Sequence, residues 1–253
     1  MTSFAMINVR RATTWGYFLI LCGQACTALL LPAGEPPVVP RHLQAAEELV
    51  AHVSPKNSSY EHKHGTVHWG HNGTGYECHT DCSGLLNHLL NHVYGITDAD
   101  LRSWLDTARP TAKTYHQAII DQQGFRRILR LSDVQPGDVI AVKYPRGSEN
   151  TGHIMIVSQR PRPRQVTPPL IPGTEQWEVG IIDSTSSGHG HGDTRLRPDG
   201  SFNNGIGAGL LRVYTDRQGH VVGHTWSTAR ASTYRGQDDR NIEIGRLVPR
   251  ERR

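Results

Sequence analysis

The stretch Glu77-Cys78-His79-Thr80-Asp81-Cys82-Ser83-Gly84-Leu85-Leu86 carries the residues best placed to make a thiol reactive. Asp81 is suited to cap a helix, and Cys82 is then its first residue. Unpaired backbone N–H groups and the positive helix end favour an anion there. They lower a thiol pKa and can also hold an oxyanion forming on an attacked carbonyl. Gly84 leaves room for a substrate backbone to approach. The Asp81 carboxylate opposes a thiolate, so a cationic partner is required. The alternatives for Cys82 are a structural cysteine at a helix start and a local disulfide with Cys78.

The base must come from elsewhere in the chain. Thr151-Gly152-His153-Ile154-Met155-Ile156-Val157 sets a histidine at the mouth of an apolar strand, with Gly152 allowing a neighbouring side chain to come close. A third group should orient that imidazole, and Asp183, ending Gly180-Ile181-Ile182-Asp183, is the first choice. Ser184, Glu178 and His189 are the alternatives. His62, His64, His68, His71, Cys78, His79 and Cys82 crowd into 21 positions, and imidazole and thiolate are the ligands zinc prefers. Their spacing fits no zinc pattern and would consume Cys82, so neither a metal nor a cofactor is expected. The run Gly188-His189-Gly190-His191-Gly192-Asp193 reads as a flexible turn, a substrate-side loop or a weak metal tract.

The elements that would carry these groups follow from periodicity. Leu43, Ala46, Val50 and Val53 predict a helix over 41–53, and Leu85, Leu86, Leu89, Leu90 and Val93 a second, stopped near Gly95. Further helices are expected over 97–107 and 111–123, while polar residues 54–76 read as a loop. The turn at 133–138 leads into apolar runs at 139–144, 153–157 and 177–183, which read as strands. Residues 160–172, with five prolines, read as an excursion. A hairpin is expected over 207–226, and 241–253 as a charged tail in which 242–248 could add an edge strand. Helices first and strands afterwards imply an α+β domain, with N-terminal helices packed on an antiparallel sheet.

The 253 residues suffice for one such domain over 41–240 plus appendages. A net charge of +4 with no coherent basic stripe gives no support for nucleic-acid binding. Arg10 and Arg11, an apolar stretch from Trp15 to Leu31 and a Pro-rich linker over 34–40 make 1–33 resemble a secretory signal peptide or an N-terminal anchor. A secreted, periplasmic or cell-envelope location is therefore expected. Membrane contact would come only through an uncleaved or lipidated N-terminus, and the expected state is a monomer.

Taken in order, Asp81-Cys82-Ser83-Gly84-Leu85, Pro136-Gly137-Asp138-Val139-Ile140 and Gly152-His153-Ile154-Met155-Ile156-Val157 resemble the NlpC family of papain-like cysteine peptidases over about residues 67–185. The resemblance implies a papain-like core with Cys82 as nucleophile, His153 as base and Asp183 in the third position. It implies hydrolysis of an amide or peptide bond, most often in cell-wall peptidoglycan. Trp69, Asp81, Ser83 and Gly152 would then adjoin the substrate. The chain departs from the pattern at His68-Trp69-Gly70-His71, which lacks the family's oxyanion-side tyrosine; Tyr60 and Tyr76 are the possible substitutes. The competing expectations are an amidase or acyltransferase on another substrate, a metal-binding domain, and a non-catalytic binding domain.

Overall fold

The computed structural model describes residues 39–62 and 65–248. The expected signal segment 1–33, most of the linker, His64 and the last residues of the expected tail lie outside them. Among the described residues no helix is long and apolar enough to cross a membrane.

Helix α1 (Arg41–His52) starts directly after Pro40 and buries Leu43, Ala46 and Leu49. A 3-10 turn (Pro55–Asn57) follows, and the region expected to be loop then forms a small sheet. Its strands β1 (Ser58–Ser59), β2 (Thr66–His68) and β3 (Glu77–His79) run in the order β1-β3-β2. Strands this short show no alternation, which is why periodicity misses them.

Helix α2 (Cys82–Tyr94) begins where the Asp81 side chain accepts a hydrogen bond from the Gly84 N–H at 2.7 Å. It ends at Gly95, whose φ of 64° only a glycine adopts without cost. Leu85, Leu86, Leu89 and Leu90 are fully buried, each contributing roughly 1.5–3 kcal/mol. Thr97 caps α3 (Asp98–Leu105), and α4 (Ala112–Ile120) follows.

The rest of the described chain builds one large sheet. Its strands are β4 (Phe125–Arg127), β5 (Val139–Lys143), β6 (Gly152–Val157), β7 (Arg162–Pro163), β8 (Glu175–Thr185), β9 (Gly205–Thr215), β10 (Val221–Thr225), β11 (Tyr234–Gly236) and β12 (Asn241–Leu247). They lie in the order β11-β10-β9-β8-β6-β5-β12-β4, with β7 added against β8. Every pairing is antiparallel. The protein is thus a mixed α+β structure with helices packed on a large antiparallel sheet.

Two expectations need correction here. Residues 241–247 are neither tail nor edge: β12 sits between β5 and β4, pairing Ile244 with Ile140 and Arg246 with Arg126. Ile242 and Ile244 are buried, and the charged residues beyond them had masked this. The Pro-rich segment also stays on the sheet, because Arg212 donates to the carbonyls of Thr167 and Pro168 and Gln176 donates to that of Thr167.

The sheet has two apolar faces. Ile154 packs with Cys82 and Leu86, and Ile156 with Leu85 and Leu89, beneath the helices. Met155 and Val157 point the other way, into a core shared with Val142, Ile181, Val213 and Ile244. The sheet curls around that second core until β10 nears β12, where Gln237 donates to the carbonyls of both Val221 and Ile242. This curl decides which side chains meet at the end of β6.

Candidate active site

Cys82 is the first residue of α2, as its capping aspartate implies, and it and Cys78 are free thiols. It is buried, and it lines a cleft of about 270 Å³ together with Tyr60, Asp81, Ser83, Thr111 and Gly152. Asp81 is held on three sides. Oδ1 accepts from the Gly84 N–H and from the Ser83 hydroxyl (3.1 Å), and Oδ2 pairs with Arg109 at 3.0 Å. Arg109 therefore offsets the negative charge beside the thiol, which the sequence alone left uncompensated. Ser184 donates to the Thr80 carbonyl at 2.6 Å, tying β8 to the residues just before α2.

Strands β6 and β8 pair only at Ile156–Ile182 and Val157–Ile181. Past that point they separate, and His153 and Asp183 bridge the gap. His153 Nε2 lies 2.6 Å from Asp183 Oδ2, and Cys82 is near enough to act on the same imidazole. Burial disfavours a charged His153, but the Cys82 sulfur and the Asp183 carboxylate outweigh it and push its pKa up to about 10. The ring also meets the indole of Trp226 edge-on at 4.8 Å.

Asp183 is the hub of a buried polar cluster. Its Oδ2 also takes His189 Nε2 at 2.9 Å, and its Oδ1 takes Arg195 at 2.9 Å. Burial alone would raise its pKa; His189, Arg195 and His153 overcome that and hold it well below the usual carboxylate range. His189 Nδ1 faces the Trp226 carbonyl at 2.6 Å. Both its ring nitrogens therefore meet acceptors, and both bonds form only when both nitrogens carry protons. Asp193 holds the Arg195 guanidinium through two hydrogen bonds, of 2.9 and 2.8 Å. The run 188–193 supports Asp183 through His189, wholly buried, and through Asp193, nearly so, while His191 and Gly192 between them are exposed.

The other expected residues fall on both sides of the cleft wall. Asp81, Ser83 and Gly152 line it. Trp69 does not: its indole N–H donates to the Ala45 carbonyl and its ring stacks on His92 at 3.9 Å, joining α1 to α2. Gly84 makes room for the Thr80 side chain, which a Cβ there would strike. Gly152 is needed for its φ of 149° and for the Val142 carbonyl packed against it. Of the two tyrosines, Tyr60 lines the cleft, while Tyr76 donates to Glu48 beside α1. Burial and the nearby Cys82 and Asp81 push the Tyr60 pKa up, so its hydroxyl remains a donor.

Glu178 is engaged by Arg162. The crowded histidines do not converge: among the described residues no group of three His, Cys, Asp or Glu side chains is placed to hold a metal ion. Arg109 and Trp226 carried no sequence signal, because each acts through partners distant in the chain, and Arg195 carried none because its neighbour Asp193 reads as part of a solvated turn.

No protein-family model matches this chain, and no solved structure matches it. Over 222 residues it is 35% identical to the "Uncharacterized protein R653" of Acanthamoeba polyphaga mimivirus, an alignment covering 82% of this chain and 96% of that protein. With that identity over nearly the whole of the relative, the chain belongs to the same family as this mimivirus protein.

Proposed function

We propose that this protein is a cysteine hydrolase with a papain-like core of NlpC type, cleaving an amide or peptide bond through Cys82. The observation that carries the reading is the buried series Cys82, His153 and Asp183, with His189 and Arg195 behind it. A thiolate at a helix start, facing a charged imidazole, is the arrangement that makes sulfur nucleophilic near neutral pH.

In this mechanism the Cys82 sulfur attacks the carbonyl carbon, and the C=O electrons move onto oxygen. The Cys82 backbone N–H and the Tyr60 hydroxyl are the donors placed to receive that oxyanion. The tetrahedral species collapses as His153 gives its proton to the departing amine, leaving a thioester on Cys82. Water then attacks the thioester, His153 takes its proton, and the acid is released with the thiolate restored. Asp183 keeps Nε2 occupied so that Nδ1 is the nitrogen turned to sulfur. The expected substrate is a peptide in bacterial cell-wall peptidoglycan or a related amide, met outside the cytoplasm after export.

Iodoacetamide labelling across pH tests the nucleophile. Cys82 should react rapidly at neutral pH, while Cys78, whose pKa burial pushes up to about 12, stays inert. His153→Ala should slow Cys82 labelling at neutral pH by about tenfold or more. Equal, slow labelling of both cysteines would sink the proposal. A panel of peptidoglycan fragments, small amides and thioesters then identifies the bond.

A further inference from the structure

The sequence holds two acceptor patterns for an N-linked glycan, Asn57-Ser58-Ser59 and Asn72-Gly73-Thr74, and neither takes part in the chemistry proposed for Cys82. The fold treats them differently. Asn72-Gly73-Thr74 forms the tip of the hairpin that joins β2 to β3. His71 and Thr74 pair across it with backbone hydrogen bonds of 3.0 and 3.1 Å. Between them Asn72 and Gly73 are both left-handed, with φ of 51° and 78°, the two-residue turn that Asn-Gly favours. Residues 71–75 are all exposed, and among the described residues the Asn72 side-chain amide has no hydrogen-bond partner. A side chain built on Gly73 would meet no atom within 4 Å, so the space around the tip is open. Thr74 keeps its hydroxyl at the surface, donating to the His71 carbonyl of the same turn at 3.0 Å.

Asn57 is placed otherwise. It ends the 3-10 turn, half-buried, and its amide donates to the Tyr76 carbonyl at 3.3 Å. Ser58 pairs with Cys78 in the small sheet, and its hydroxyl accepts from the Ile206 N–H at 3.1 Å. The Ser59 hydroxyl donates to Glu61 and faces His79 Nδ1 at 2.7 Å. A sugar on Asn57 Nδ2 has to stand between the turn and the buried Tyr76, where β1 and β3 are already paired. Such an amide is modified while the chain is still emerging, so the fold decides which modified chain can finish folding. It admits a bulky polar group at Asn72 and opposes one at Asn57.

We propose that Asn72 carries an N-linked glycan in the exported, folded protein and that Asn57 does not. The donor is a lipid-linked diphospho-oligosaccharide of a eukaryotic secretory route. A bond forms between Asn72 Nδ2 and the anomeric carbon of the first sugar, and the sugar–phosphate bond breaks. The amide loses one proton as the lipid diphosphate departs. The site rests on the export in the proposed function and not on the chemistry at Cys82. The glycan also stays clear of that chemistry. Strand β3 leads from the tip towards Asp81, so the tip and Cys82 lie at its opposite ends, and no residue of the hairpin lines the cleft.

The full chain, expressed with its own N-terminus in insect cells, tests this in the secreted fraction. One slower-migrating form is expected, returned to the unmodified mobility by peptide-N-glycosidase. Mass spectrometry should then find residue 72 converted from amide to acid and residue 57 unchanged. Asn72→Gln and Thr74→Ala should each abolish the mobility shift, and Asn57→Gln should leave it intact. Thr74→Ala is included because it removes the acceptor pattern while keeping Asn72 in its left-handed turn. Secreted protein bare at Asn72, or modified at Asn57, overturns the proposal. Failure to reach the medium overturns the export reading instead. In that case the same chain is placed behind a proven secretion signal. The state of residues 72 and 57 in the membrane-enclosed and secreted fractions then decides the site by the same outcomes.

Discussion

At the scale of single residues, the site depends on charges that balance one another out of water. Asp183 stands between His153, His189 and Arg195, and Asp193 holds Arg195 from the other side. Removing one member leaves its partners buried and unmatched, so Asp183→Asn should cost about 3–5 kcal/mol of stability, measured by urea unfolding. The sign with pH follows from the depressed Asp183 pKa. The folded state holds this proton less tightly than the unfolded chain, so the stabilisation is complete above about pH 4 and drains away as pH falls below it. The raised pKa of His153 acts at the other limit. Hydrolysis should decline above about pH 10, where the ring loses the proton that the departing amine needs. In Cys82→Ser the anionic sulfur is gone while burial remains, so His153 should titrate below its value in the unsubstituted protein, as NMR of the ring would record. Cys82 and His153 are legible in sequence because each sits in a local pattern that states its own context. Arg195, Arg109 and Trp226 are not, since an arginine in a polar loop looks solvated until the fold supplies its carboxylate.

The elements position these groups through a few close contacts. Ser184 reaches from β8 to the Thr80 carbonyl, two residues before the nucleophile. Ser184→Ala leaves that buried carbonyl unpaired and should cost about 1–3 kcal/mol, with slower Cys82 labelling as α2 shifts against β6. Gly152 is more restrictive, for an alanine there meets both an unfavourable φ and the Val142 carbonyl. Gly152→Ala should lower the thermal midpoint, and the lost stability should exceed about 1 kcal/mol. Helices α1 to α4 and strands β5, β6, β8, β9 and β10 are readable from their apolar spacing and capping residues. Strands β1, β2 and β3 are two or three residues long and exist only because they pair, so no property of their own sequence announces them. Likewise the run 188–193 looks like a glycine-rich turn until Asp183 and Arg195 are brought to it.

For the whole molecule, the decisive feature is the curled sheet, which sets His153 and Asp183 at one end of a closed apolar core and brings Tyr144, His224 and Arg240 to the same end. The α+β class is legible from the order of helices and strands, but the curl is not, because it depends on which strands become neighbours. β12 is the clearest case. A chain truncated after Arg240 loses five ladder partners for β5 and three for β4. It should fail to give a cooperative unfolding transition by circular dichroism, whereas truncation after Val248 should leave the transition intact.

The position of β12 also governs the route by which the protein assembles. Strands β4 and β5 are made early and cannot close until residues about a hundred positions further along the chain arrive, a separation that slows folding through loop entropy. Until then both strands present bare edges to the surroundings. A second molecule's β12 fits that slot as well as the molecule's own, so crowded refolding should yield strand-exchanged dimers, and dilution should return each chain to its own β12.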